Sequence, residues 1–129
     1  MLKQRNVNFE KMFDITKDFR YKISALKKGS AEIISLSETY QSVTGLEATD
    51  TRNQTLQEIV HTDDLEKLEI HLEIVRSGRP NTEQYRIKTS DGFITIIDYA
   101  KPVWNEQKDA VIEIKGSVST EISSEAATK

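Results

Sequence analysis

The sequence predicts an α+β domain in which a five-stranded antiparallel sheet carries helices on one face and a further helix precedes the sheet. Three observations support this fold class. Apolar and polar residues alternate with a period of two in residues 19–37 and again in the last third of the chain. The intervening residues instead have apolar positions at helical spacing. Finally, Ser90-Asp91-Gly92 is a tight-turn signal between two of the later strands.

The elements follow in order along the chain. A helix is predicted over residues 8–17, where Phe9, Met12 and Phe13 share one face. Residues 19–37 then predict a hairpin that turns at KKGS.

The middle of the chain predicts short helices and one long helix. The segment SETYQSVTG predicts a helix that ends at Gly45, because glycine ends helices at low cost. Residues 46–54 are polar and predict a loop, and TLQEIV predicts one or two helical turns. A longer helix is predicted from about Thr62 to the breaker SGRP.

Three strands are predicted in the last third: TEQYRIKT, FITIIDYAKPVW and AVIEIKGSVST. The second of these is apolar on both faces, with Phe93, Ile97 and Tyr99 on one and Ile94 and Ile96 on the other. Such a strand is expected to be central or to be covered by another element, either the N-terminal helix or a partner chain.

Composition excludes several classes of function. The 129 residues suit one domain, and 36 % hydrophobic with 30 % charged residues indicate a globular chain. The chain has no cysteine, which excludes disulfides, thiol nucleophiles, cysteine metal sites and cofactor photochemistry through sulfur. A net charge of −3 without a basic stripe argues against nucleic acid, and no apolar run suggests membrane contact. A cytoplasmic location is expected by default.

The stretch IVHTDDLEKLEIHLEIV holds both histidines and raises the question of a site. Its first half has a structural interpretation, because Asp63 and Asp64 fall in the first turn of a helix, where carboxylates are favoured. Asp63 and Glu66 also fit a capping box, and His61 is expected to be structural. His71 differs, since it lies beside the apolar arc of the helix and is expected to face the space between helix and sheet.

The element order and the residues at its joints resemble those of the PAS domain family, in the sensor type with a trailing PAC segment. The resemblance covers about residues 19–123 and is carried by VTG, IVHTDDLEKL, RSGRPNTEQYRIKTSDG and YAKPVWNEQKDAVIEIKGSVSTEIS. Thr62 replaces the proline usual in the family, and Glu121-Ile122-Ser123 replaces its closing Asp-Ile-Thr.

The resemblance implies a division into an N-terminal cap helix (1–18), a PAS domain (19–119) and a C-terminal linker or tail (120–129). It implies a sensory and interaction module that senses a small ligand or mediates dimerisation and signals to an effector, such as a histidine kinase or a diguanylate cyclase. A homodimer is expected, and the signal would leave through Glu121 and Ile122. The residues expected at the dimer interface are Phe9, Met12, Phe13, Ile94 and Ile96.

The cofactor is left open. In haem-binding PAS proteins a histidine on the long helix binds iron, which makes His71 a candidate, although a lone histidine beside an apolar face is more often a packing residue. A non-covalent flavin or a small organic ligand is the alternative, with Tyr85 and Tyr99 as candidate cavity residues beside His71, although aromatic residues at such spacings are more often core.

A different class of function is a small α+β enzyme that transfers protons in a conical cavity under the sheet. Asp98 or His71 would then be the general base. No partner for Asp98 is identifiable from the sequence, so the sensory module is the leading hypothesis.

Overall fold

The computed structural model describes residues 18–120 of the chain. Its strands are β1 (Asp18–Ser24), β2 (Ile33–Leu36), β3 (Asn81–Thr89), β4 (Gly92–Trp104) and β5 (Val111–Thr120). All neighbouring pairs are antiparallel, and the order across the sheet is β2-β1-β5-β4-β3. The predicted five-stranded antiparallel sheet is therefore confirmed, and the last strand occupies its centre.

The helices lie between β2 and β3 in the chain. They are α1 (Thr39–Thr44), α2 (Ala48–Thr51), α3 (Leu56–Ile59) and α4 (Leu65–Arg76), the last preceded by a 3-10 turn at Thr62–Asp64. Gly45 ends α1 as predicted, with a left-handed φ of 76°. Helix α2 was not predicted, because a single turn is too short to show a helical period.

The core lies between the helices and one face of the sheet, which we call the inner face. Helix α4 buries four side chains toward it: Leu68, His71, Leu72 and Val75. In β4 the inner face carries Ile96, Asp98 and Ala100, all with no exposed surface. The opposite, outer face of the same strand carries Phe93 and Tyr99, which are 47 % and 42 % exposed.

This arrangement corrects one sequence prediction. Ile96 is fully buried and Ile94 packs against the core cluster, so the helices of the same chain cover both side chains. They cannot form a dimer interface on the outer face, where Phe93 and Tyr99 lie instead. The error came from the assignment of the two faces of β4, since both are apolar in sequence. The predicted N-terminal helix with Phe9, Met12 and Phe13, and the output residues Glu121 and Ile122, lie outside the described residues.

A glycine in the central strand allows contact across the sheet. Gly116 of β5 pairs in register with Tyr21 of β1 and with Ala100 of β4. The Tyr21 ring lies directly over Gly116, and a Cβ atom at that position would overlap the ring. Because residue 116 has no side chain, Tyr21 can extend across β5 and reach Asp98 of β4 with its hydroxyl.

Gly116→Ala is expected to lower the free energy of unfolding by about 1–3 kcal/mol, since the added methyl group displaces the Tyr21 ring from a packed position. Urea denaturation measures the change, and Ser117→Ala at the adjacent exposed position is the control. In the double variant with Tyr21→Ala the two costs should be less than additive. Wild-type stability of Gly116→Ala would contradict this account.

Candidate functional site

A buried carboxylate with three hydrogen-bond partners lies under the sheet. Oδ2 of Asp98 accepts hydrogen bonds from the hydroxyl groups of Tyr21 at 2.6 Å and Tyr85 at 2.7 Å. The same oxygen lies 3.1 Å from Nε2 of His71. Side chains from β1, β3, β4 and α4 thus meet at one atom. We call these residues, together with Asn81, the Asp98 network.

The orientation of His71 is set from its other side. Nδ2 of Asn81, at the start of β3, lies 2.8 Å from Nδ1 of His71. With the Asn81 amide donating to Nδ1, the imidazole proton is on Nε2 and is donated to Asp98. Both ring nitrogens are therefore engaged, and His71 is fully buried.

The two tyrosines are fixed as hydrogen-bond donors. Burial, and then the negative charge of Asp98, raise the pKa of Tyr21 and of Tyr85 well above the usual range. Both hydroxyl groups consequently stay protonated over the physiological pH range. A buried carboxylate without an Arg or Lys partner is costly, and here neutral donors supply most of its compensation.

Two buried oxygens lack a partner among the described residues: Oδ1 of Asp98 and the hydroxyl of Tyr40. The space next to the network is an apolar cavity of about 10 Å³, roughly the volume that one water molecule needs. Its lining combines tyrosines of the network with aliphatic and aromatic core residues: Phe19, Tyr21, Ile33, Leu36, Leu56, Ile59, Tyr85, Ile87, Ile96 and Val118. The interior is therefore nearly filled, and the wall of the remaining space is apolar.

The sequence located part of this network. The structure brings His71 and Tyr85 together through Asp98, with ring centroids 6.2 Å apart. Tyr99 does not join them, because it lies on the outer face and is 42 % exposed. Its assignment to the same cavity was therefore wrong.

Tyr21 and Asn81 were missed, and so were the partners of Asp98. One available signal was a single acidic residue in the apolar series Ile94, Ile96, Asp98, Ala100, which required buried hydrogen-bond donors. Which residues supply those donors depends on strand pairing, since Tyr21 is 77 positions away in sequence.

The first half of the histidine-containing stretch has structural contacts. His61 accepts a hydrogen bond from the backbone N–H of Asp63 through Nδ1, and its ring lies 4.5 Å from that of Phe93. The predicted capping box of Asp63 with Glu66 is not formed, because His61 supplies the acceptor at this turn. Asp64 binds the Arg86 guanidinium with both oxygens at 2.9 Å, which joins the start of α4 to β3.

Within residues 18–120, no group of three acidic, histidine or cysteine side chains is arranged to hold a metal ion. In the same range, no helix has both the length and the apolar character needed to cross a membrane.

Helices over one face of a five-stranded antiparallel sheet, with a polar cluster and a small cavity between them, define an α+β domain. A family model described as the PAS fold matches residues 33–118, and the chain belongs to this family. PAS domains are sensory modules of signalling proteins. No curated protein matches the chain in sequence.

Solved structures share the fold at low sequence identity. One is a domain described as that of a light and redox sensing histidine kinase from Haloarcula marismortui, with a TM-score of 0.68 and 14 % identity over 88 % of this chain and 97 % of that one. The N-terminal domain of a diguanylate cyclase with PAS/PAC sensor from Marinobacter aquaeolei has a TM-score of 0.67 and 18 % identity. The match covers 85 % of this chain and 99 % of that one. PAS-B of Drosophila melanogaster Cycle, with bound ethylene glycol, has a TM-score of 0.68 and 17 % sequence identity. The match covers 79 % of this chain and 98 % of that one.

Tyr21→Phe and Tyr85→Phe are each expected to lower the free energy of unfolding by about 1.5–3 kcal/mol, because each removes one donor to the buried Asp98 carboxylate. Tyr40→Phe is the matched control. It removes a hydroxyl that is equally buried but has no described partner, and it is expected to be neutral within about 0.5 kcal/mol. Equal losses in all three variants, measured by urea denaturation, would contradict the role assigned to the network.

The Asp64–Arg86 pair predicts an acid-dependent loss of stability. Hydrogen bonding to Arg86 lowers the pKa of Asp64 from 3.8 to about 2. Because the pKa is lower in the folded chain, the stabilisation is complete above about pH 4 and is lost as the pH falls through about 2. The stability difference between wild type and Asp64→Asn should shrink from pH 5 to pH 2. Asp63→Asn, which removes the exposed neighbouring carboxylate, is the control, and a difference for Asp64→Asn that does not shrink would contradict this account.

Proposed function

We propose that the chain is the sensory module of a signalling protein, and that the Asp98 network is the element that responds to the input. One observation carries this proposal: a single buried oxygen, Oδ2 of Asp98, holds together helix α4 and strands β1, β3 and β4. A ligand or a packing change that alters any one of these hydrogen bonds also alters the others. Such a shared contact supports a coupled response rather than a local one.

The position of β5 gives the response a route out of the domain. This strand lies between β1 and β4, and the Tyr21 ring crosses it at Gly116 to reach Asp98. Val118 pairs with Phe19 on one side and with Asp98 on the other. Movement of Tyr21 relative to Asp98 would shift β5, whose last described residue, Thr120, directly precedes the proposed output residues Glu121 and Ile122.

The input is proposed to be a small molecule with an apolar body and a hydrogen-bonding group. The cavity lining is apolar, and Tyr21 and Tyr85, whose hydroxyl groups bind Asp98, belong to its walls. With a volume of about 10 Å³, the cavity must expand to admit anything larger than water. The bound ethylene glycol in Cycle PAS-B supports a ligand of this size class.

The larger cofactors have less support. Iron binding by His71 would require one of its ring nitrogens to leave Asp98 or Asn81. A flavin would need several core side chains to move, given the small cavity. His71 and Tyr85 as cofactor-binding residues stay predictions.

The alternative of a proton-transferring enzyme also has less support. Asp98 and His71, the two candidate bases, are fully buried and hydrogen-bonded to each other, and a substrate would have to displace core side chains to reach them.

A C-terminal effector, homodimerisation and a cytoplasmic location belong to this proposal. Two of the similar structures are domains of a histidine kinase and of a diguanylate cyclase, and effectors of these kinds are proposed for the parent of this chain. Phe93 and Tyr99 on the outer face of β4 are exposed, and this face is where a second copy is proposed to bind.

Amide chemical shifts of the ¹⁵N-labelled chain test the proposal. Ethylene glycol and a panel of small alcohols, amides and organic acids are titrated, and the expected result is saturable shifts in α4 and β4 together with Val118–Thr120 of β5. Tyr21→Phe should weaken the shifts in β5, whereas Tyr40→Phe should preserve them. The proposal fails if no compound gives saturable shifts, or if all shifts stay within the cavity lining and never reach the end of β5.

A further inference from the structure

Three lysines form a continuous row across the outer face of the sheet. In the strand register, Lys115 of β5 lies directly opposite Lys22 of β1 on one side and Lys101 of β4 on the other. Lys101 and Lys115 are exposed, and neither has an ion-pair partner within residues 18–120. Nζ of Lys22 lies 3.7 Å from Oε1 of Glu113. This one carboxylate beside three lysines leaves a net positive charge on the row.

Sheet stability does not account for this row. Like charges directly opposite each other on adjacent strands are destabilising, and here two such pairs occur in succession. The row is also opposite in sign to the net charge of the whole chain, which is −3. A locally costly cluster on an exposed surface is more easily explained by a bound partner than by the fold.

The surface beside the row provides further contacts. The adjacent outward-facing positions are Arg20, Ser117 and Tyr99, which are paired across the same three strands. Tyr99 is 42 % exposed and adds an aromatic surface next to the cations. The row and Arg20 line a shallow groove of about 380 Å³ that extends over β2, β1, β5 and β4.

We propose that this groove binds an acidic helix of a partner protein, laid across the strands. Adjacent strands are about 4.8 Å apart, so the Cα atoms of Lys22 and Lys101 are separated by about 10 Å. Along an α-helix, carboxylates at positions i, i+3 and i+7 extend over about 10 Å on one face. One helix can therefore place a carboxylate over each lysine and an apolar side chain against Tyr99.

The segments of the chain outside the described residues are poorer matches in charge. Residues 1–17 contain four basic residues (Lys3, Arg5, Lys11, Lys17) and two acidic ones (Glu10, Asp14). Residues 121–129 contain two acidic residues and one lysine. Charge complementarity thus favours another protein.

The test uses the full chain and a fluorescent 20-residue alanine-based helical peptide with Glu at i, i+3 and i+7 and leucines beside them. A peptide of the same composition, with its Glu residues distributed around the helix, is the peptide control. Fluorescence anisotropy is expected to show binding that weakens as salt increases. The triple variant Lys22→Gln, Lys101→Gln, Lys115→Gln is expected to bind about tenfold or more weakly, since it loses three exposed ion pairs.

A second triple variant, Lys27→Gln, Lys28→Gln, Lys88→Gln, changes the net charge equally at exposed positions elsewhere and should bind within about twofold of wild type. Equal weakening in both triple variants, equal binding of the two peptides, or no binding would overturn the proposal. So would salt-sensitive self-association of the chain that the first triple variant abolishes, because a second copy would then be the occupant.

Thermal denaturation adds a readout that is independent of any peptide. Lys115→Gln removes the shared member of both like-charge pairs and should raise Tm by about 1–4 °C. A lower Tm would show that the row stabilises the sheet and would remove the basis of the proposal.

Discussion

The hydrogen bonds that meet at Oδ2 of Asp98 are the constraint around which the domain is organised. A carboxylate with no exposed surface would be strongly destabilising without donors, and this one receives them from Tyr21, Tyr85 and His71. Each donor comes from a different element, so the carboxylate defines how β1, β3 and α4 are placed relative to β4. An apolar residue of similar size would remove the desolvation cost but would leave three buried donors unpaired.

The same requirement explains the small residue in the centre of the sheet. Tyr21 belongs to β1 and Asp98 to β4, with β5 between them, so their hydrogen bond depends on a strand that contributes no side chain at that point. Gly116 meets this condition at the cost of backbone freedom and of packing surface. The central strand is thereby held between two residues of one hydrogen-bonded cluster. A change in the relative positions of Tyr21 and Asp98 would therefore require β5 to move.

Local patterns predicted the strands, the long helix and the end of α1 at Gly45, because each depends on a period or a turn that neighbouring residues define. The two faces of β4 were separated correctly, but Ile96 was placed outward, since a strand that is apolar on both sides does not indicate which side the helices cover. His71 was predicted to face the core from its place on the helix. The hydrogen bond of His71 to Asp98 was not predicted, because the donors to Asp98 are brought together by pairing between distant strands and by the packing of α4.

Different physical requirements therefore determine which residue types lie on the two faces of the sheet. On the inner face every side chain near Asp98 is constrained by burial and hydrogen bonding, and the residue types follow from the need to satisfy a buried charge. On the outer face, Lys22 pairs with Glu113, but the register still places the like charges of Lys22, Lys115 and Lys101 next to one another. Both faces share β5, which carries Gly116 beneath the Tyr21 ring and Lys115 at the middle of the row. Because these residues are adjacent in one strand, a shift of β5 caused beneath the sheet would also displace Lys115 relative to its two neighbours. A partner bound to the row would thus be sensitive to the state of the Asp98 network.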